Sequence, residues 1–146
     1  MKWSIIKRVG IMMIALIFSG CIVSHDDVVT KYTADKKLRA TVVEINGGAT
    51  TPFAYEVYVN DALVARLVDA RRSENGYGVN IEWDQTTSPY LKILYLKAKS
   101  ARQLKSTLEI NGQTVRIELI PNVYDRNAPD GGMKYNLKSN ISEEAD

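Results

Sequence analysis

The 146-residue chain carries 19 Lys and Arg against 17 Asp and Glu, with one His and one Cys. That length holds one domain around one hydrophobic core. The near balance of charge excludes the broad basic face that nucleic acid requires, and a single cysteine excludes any disulfide within the chain.

The first segment has the order of a secretory signal. Lys2, Lys7 and Arg8 precede an uncharged apolar run from Val9 to Phe18, and Ser19-Gly20 then precede Cys21. A positive start, a short apolar run and a small-residue cleavage site define such a signal. The rival reading is a membrane-spanning helix, which needs about 20 mostly apolar residues. Gly10, Ser19 and Gly20 interrupt this run, and Ser24, His25, Asp26 and Asp27 follow it.

A cysteine directly behind Ser-Gly resembles the signal of bacterial lipoproteins, with Phe18 standing where Leu is commonest. The resemblance implies cleavage between Gly20 and Cys21, a diacylglycerol thioether on Cys21 and usually an acylated new N-terminus. Two or three acyl chains hold a protein stably on a membrane surface, where one holds it only marginally. Ile22 stands where an Asp would retain such a protein in the inner membrane. The implied location is the periplasmic face of the outer membrane in a Gram-negative cell, and otherwise the outer face of the cell membrane. Loss of the three signal cations leaves a near-neutral mature chain. Its charge gives no reason to expect attraction to anionic lipid beyond the anchor.

Residues 22–36 are polar and without sustained period, and read as a tether. The expected organisation is a signal peptide over 1–20, lipidated Cys21 and tether over 21–36, a β domain over 37–138 and a frayed end over 139–146. Segment 38–45 is β-branched-rich, and Asn46-Gly47-Gly48 signals a turn. Segment 53–59 puts Phe53, Tyr55, Val57 and Val59 on one face, with Ala54, Glu56 and Tyr58 on the other. Asn60-Asp61 turns it into 62–68, which makes a hairpin. Residues 69–76 read as a charged loop. Segment 77–84 alternates Tyr77, Val79, Ile81 and Trp83 against Gly78, Asn80, Glu82 and Asp84.

Gln85 to Pro89 break that strand, and 90–97 forms the next. Residues 98–103 read as a loop or one helical turn. Segments 104–110 and 113–120 flank Asn111-Gly112, the strongest short hairpin signal because both turn residues must accept positive φ. Pro121 ends that strand, and a last one is expected near Met133–Leu137. Seven or eight short strands at near-even spacing predict an all-β fold, a single antiparallel sandwich or barrel-like domain.

The run Ala34-Asp35-Lys36-Lys37-Leu38-Arg39-Ala40, then Gly47-Gly48-Ala49-Thr50-Thr51, resembles small uncharacterised bacterial envelope lipoproteins with a Gly-Ala-Thr-Thr loop. Trp83-Asp84 and the Leu91, Ile93, Tyr95 strand extend the resemblance over residues 34–97. Two departures stand out. Lys36-Lys37 replaces a common turn glycine, and Asn46 stands where Cys often precedes the Gly. These relatives have no assigned activity, so the resemblance implies fold and location.

Catalysis needs a nucleophile or metal with an acid–base group. The one histidine lies in His25-Asp26-Asp27, in the expected tether, where no supporting contacts would orient ligands. No zinc, redox or nucleophile-elbow motif is present. Gly47 to Thr51 lack the Lys and following helix of a phosphate loop. Arg71-Arg72 beside Asp69 and Glu74 read as a solvated loop, and Trp83 as core. The expectation is a non-enzymatic binding or interaction module with no catalytic residue, metal or cofactor. The membrane is met through the lipid anchor, and the partner is a protein or glycan. One specific form is immunity-type neutralisation of a toxin. The alternatives are a structural or assembly lipoprotein and, third, a carboxylate-based hydrolase of envelope polymers.

Overall fold

The computed structural model describes residues 23–125 except 49 and 85–87. The signal peptide, Gly20, Cys21, the strand expected at Met133–Leu137 and the C-terminal end therefore lie outside the described residues. The fold is all-β, a sandwich of two sheets, with no helix among the described residues. In chain order the strands are β1 (Ser24–Tyr32), β2 (Arg39–Asn46), β3 (Ala54–Val59), β4 (Ala62–Val68), β5 (Asn80–Asp84), β6 (Tyr90–Leu94), β7 (Ser100–Gln103), β8 (Thr107–Ile110) and β9 (Gln113–Ile120). The first sheet runs β1-β2-β3-β4-β7 and the second β5-β6-β9-β8.

Two-residue periodicity builds the core. Ala40 and Val42 of β2, Tyr55, Val57 and Val59 of β3, and Leu67 of β4 are buried on one side of the first sheet. Ile81, Leu91, Ile93, Val115 and Ile117 meet them from the second, and all belong to one apolar cluster. Burial of each large side chain stabilises by about 1.5–3 kcal/mol. In β4 the alternation slips, because a bulge lets both Val64 and Ala65 reach the core.

Four expectations need correction. Residues 24–32 of the expected tether form β1, antiparallel to β2 from Ser24↔Asn46 to Tyr32↔Arg39. An edge strand with one solvated side needs few apolar residues, and Val29 alone is buried on it. Residues 100–103 are a strand, β7, paired to β4. All four are exposed, so no alternation could announce them. The strand expected at 77–84 starts only at Asn80, because 71–79 make a compact excursion with isolated bridges from Arg71 to Tyr77 and Lys97. The fold is also not wholly antiparallel, since β6 and β9 run parallel. The chain between them visits the first sheet as β7 and returns as β8, so β9 reaches β6 in the same direction.

Side chains close both open flanks. The Trp83 indole N–H of β5 donates to the Lys31 carbonyl of β1 at 3.1 Å. On the other side, the Gln103 amide of β7 donates to the Ile117 carbonyl at 2.9 Å and accepts from the Leu119 N–H at 3.4 Å. It supplies the hydrogen bonds of the strand that β8 is too short to provide. Unpaired edges invite pairing with other chains, and these contacts blunt them.

Candidate functional site

Strand register sorts the loops into two ends. Ser24 pairs with Asn46, Ala54 with Ile45 and Val68, and Val68 with Ser100. In the second sheet Asn80, Leu94 and Ile120 stand at the same end. This proximal end therefore gathers the start of β1 with loops 47–53, 69–79 and 95–99. The distal end holds 33–38, Asn60-Asp61 and Asn111-Gly112.

A cup of about 430 Å³ opens at the proximal end, lined by Asp69, Arg71, Lys97, Ala98 and Lys99. Arg71 organises it. Its peptide N–H donates to the Lys97 carbonyl at 2.8 Å, and its own carbonyl accepts from Leu96 at 2.7 Å. The guanidinium lies 4.1 Å over the Tyr77 ring, donates to the Tyr77 hydroxyl at 2.8 Å and stands 3.8 Å from Asp69. Tyr77 in turn packs at a tilt on Phe53, with centroids 5.4 Å apart. Asp69 takes a left-handed conformation, φ 50°, and its N–H donates to the Phe53 carbonyl. A guanidinium stacked on an aromatic face keeps its charge while its orientation is restricted.

Lys97 and Lys99 straddle Ala98, which packs on the core. Both ammonium groups are exposed, and neither makes an ion pair among the described residues. Three cations thus surround one carboxylate. Sequence reasoning read Arg71 as part of a solvated loop, whereas the structure half-buries it at the junction of the sheets. The available signal was the Lys-x-Lys spacing at the end of an alternating strand.

Tyr55 on β3 and Glu44 on β2 are cross-strand partners in the core, 0% and 2% exposed. Burial, then the Glu44 charge, pushes the Tyr55 phenol far above its ordinary range, with smaller contributions from Tyr77 and Asp69.

A second concavity, about 280 Å³, lies on the outer face of the first sheet toward the distal end. Asp27, Arg39, Thr41, Val43, Tyr58, Asn60 and Asp61 line it. The Tyr58 hydroxyl donates to Glu56 at 2.6 Å, and Arg66 approaches the same carboxylate at 3.6 Å. The bond to Glu56 raises the Tyr58 phenol above its ordinary value. Arg39 faces Asp61 at 3.6 Å, and its N–H donates to Asn60 Oδ1 at 3.0 Å. The floor of this second concavity is therefore an anchored aromatic on paired strands, with polar groups around its rim.

The outer face of the second sheet carries a polar network. Tyr90 donates to Glu118 between Arg116 and Lys92, and Lys92 pairs with Asp84 at 3.1 Å. Glu82 stands exposed opposite Lys92 on the same face.

The other sequence candidates do not converge. His25, Asp26 and Asp27 are consecutive on β1, where neighbouring side chains point to opposite faces. No group of three His, Cys, Asp or Glu side chains is placed to hold a metal ion among the described residues. Gly47-Gly48 and Thr50-Thr51 form the loop between β2 and β3. Gly48 has φ 105°, and its carbonyl accepts from the Thr51 N–H. Comparison with models of known families, with curated proteins and with solved structures finds no match for this chain.

Proposed function

We propose that the mature chain is a lipid-anchored, non-enzymatic binding module of the bacterial cell envelope, held through Cys21, with a protein or glycan partner. The observation that carries the reading is the solvent-open concavity around Tyr58. An amphipathic ring braced by Glu56 and Arg66 on a sheet offers contact area at low conformational cost, as binding surfaces do. Hydrolysis by paired carboxylates works in a cleft that controls water. Asp27 and Asp61 are exposed on this face, and Asp61 is already paired to Arg39.

The test uses the full-length protein in its native membrane. A photo-crosslinking residue at Asp61 should capture one stoichiometric partner, and Tyr58→Ala should reduce capture at least fivefold while leaving the fold intact. A glycan partner would instead appear as Tyr58-dependent retention on purified envelope polymer. Reproducible hydrolysis of that polymer, lost on replacing one carboxylate, would overturn the reading.

A further inference from the structure

We infer that the proximal end rests on the bilayer and that the cup of Arg71, Lys97 and Lys99 takes phosphate groups of anionic lipid headgroups. This inference depends on lipidation of Cys21. It concerns a second contact, separate from the anchor and from the concavity around Tyr58.

Chain length is the first ground. Ser24 begins β1 three residues after Cys21. Three extended residues span about 10 Å. The expected tether has become a strand, so the domain cannot stand off from the membrane. The end of the sandwich where β1 starts must lie within about 10 Å of the headgroups, close to one screening length in about 0.1 M salt.

The second ground is the register of the first sheet. Register puts the start of β7 at the same end as the start of β1, at the opposite edge of the sheet. Four strand spacings separate those edges by about 19 Å. The anchor therefore enters beneath one edge, and Lys99, immediately before β7, stands near the other. Two attachments that far apart would hold the sandwich upright, where one flexible attachment would leave it to swivel.

The third ground is the chemistry of the cup. Arg71 is already oriented by Tyr77 and Asp69, and a guanidinium fork suits a phosphate. Lys97 and Lys99 add two point charges with no ion pair among the described residues. Asp69 is the one carboxylate of the lining among the described residues. Glu74 is exposed on the neighbouring excursion, and Asp125 accepts from Asn80 at 2.6 Å. Asp26 and Asp27 are exposed near the start of β1, at the opposite edge of the sheet, so the cations outnumber the carboxylates within the cup and not over the whole end. Basic side chains near an anionic bilayer are attracted within a Debye length. With the concavity around Tyr58 toward the distal end, this orientation leaves that surface facing away from the membrane.

The experiment uses the full acylated protein reconstituted in vesicles of phosphatidylglycerol or of phosphatidylcholine. Amine-reactive footprinting reads Lys97 and Lys99 against the distal Lys36 and Lys37. The expected result is a loss of roughly fivefold in reactivity at Lys97 and Lys99 in phosphatidylglycerol only, the change that about 1 kcal/mol per basic residue gives. Lys36 and Lys37 should not change. Lys97→Glu should return Lys99 toward its reactivity in phosphatidylcholine, and raised salt should do the same.

Equal reactivity of Lys97 and Lys99 in both lipids would overturn the inference. So would protection by inorganic phosphate with none from vesicles, which would make the cup a site for a soluble anion. Intact mass reads the acyl chains on Cys21 beforehand. A chain without them overturns the anchored reading together with this one, whereas an acylated chain with unprotected lysines overturns this one alone.

Discussion

The two ends of the sandwich are built by different means. The distal turns are short and close on themselves. Asn111 and Gly112 take φ 52° and 74° in a two-residue turn, and Asn60 takes φ 51° in another. In the third, Thr33 Oγ1 accepts from the Leu38 N–H, and Asp35 accepts from the Thr33 hydroxyl and the Lys37 N–H. The proximal loops are irregular, and Arg71, Tyr77 and Phe53 tie them to one another in addition to turn bonds of their own, such as Thr51 N–H to the Gly48 carbonyl. Short turns satisfy their backbone locally and leave no room between them. Long loops must borrow side chains from one another, and the space between those side chains is the cationic cup. Strand pairing is common to both ends, so they differ in what frames their concavities: a sheet face beside a tight turn at the distal end, and side chains of separate loops at the proximal end.

The strongest test of that contrast is Leu38→Ala. Leu38 plugs the distal turn into the core and is 1% exposed. Its truncation should destabilise by about 2–5 kcal/mol in urea unfolding, as large-to-small core changes do. A loss under about 1 kcal/mol would mean that the distal end is not welded to the core.

Two glycines set the turn mechanism against the loop mechanism. At Gly112 an added Cβ meets nothing within 4 Å, so only the positive φ resists a side chain. Gly112→Val should cost about 1–2 kcal/mol from backbone strain alone. At Gly47 the added Cβ would approach Thr51 Cγ2 at 2.9 Å. Thr51 Cβ stands at 3.1 Å as well, which rotation of its side chain cannot change, so the exposed loop must shift and Gly47→Ala should cost about 0.5–1 kcal/mol. A reversed order, read from thermal or urea midpoints, would break the comparison.

Arg71→Ala removes the guanidinium from Tyr77 and Asp69 at the proximal end. It should cost about 1 kcal/mol, a typical cation–π and partly exposed ion-pair loss. Amide exchange should quicken in 69–79 and 95–99 and stay unchanged in 33–38.

Lys36 is a non-glycine residue at φ 58° in the 33–38 turn. Lys36→Gly relieves left-handed strain but loosens the unfolded chain, for a net stabilisation of about 0.5 kcal/mol. The smallest effect concerns acid. The Thr33 hydroxyl first, then the Lys37 N–H, lowers the Asp35 carboxyl below its ordinary value. A depressed carboxyl contributes stability above its unfolded pKa and loses it as pH falls through the folded value. Asp35→Asn should therefore flatten the stability profile slightly below about pH 4. The profile at neutral pH should keep its shape.

Much of the fold was legible locally. The faces of 53–59, the hairpins around Asn60-Asp61 and Asn111-Gly112, and the inward set Val115, Ile117 and Leu119 follow from alternation and turn chemistry. β1 and β7 were not legible, because their exposed residues carry no apolar period and their pairing comes from β2 and β4. The parallel β6–β9 pair was hidden for a similar reason: direction depends on the route of the chain between strands. Neither binding surface was visible either. Tyr58 and Thr41 meet across strands, and Arg71, Tyr77 and Lys97 meet across loops.

By itself, the sequence determined the all-β class, the positions of the buried strands and the tight turns. Those depend on each residue's neighbours in the chain: period two for burial, and positive φ for Asn-Gly. Only the tertiary structure decided which strands form the edges, which end of the sandwich carries the start of β1, and which cations share a cup. A near-neutral composition averages charge over the whole surface, and only the assembled loops bring Arg71, Lys97 and Lys99 around one cup.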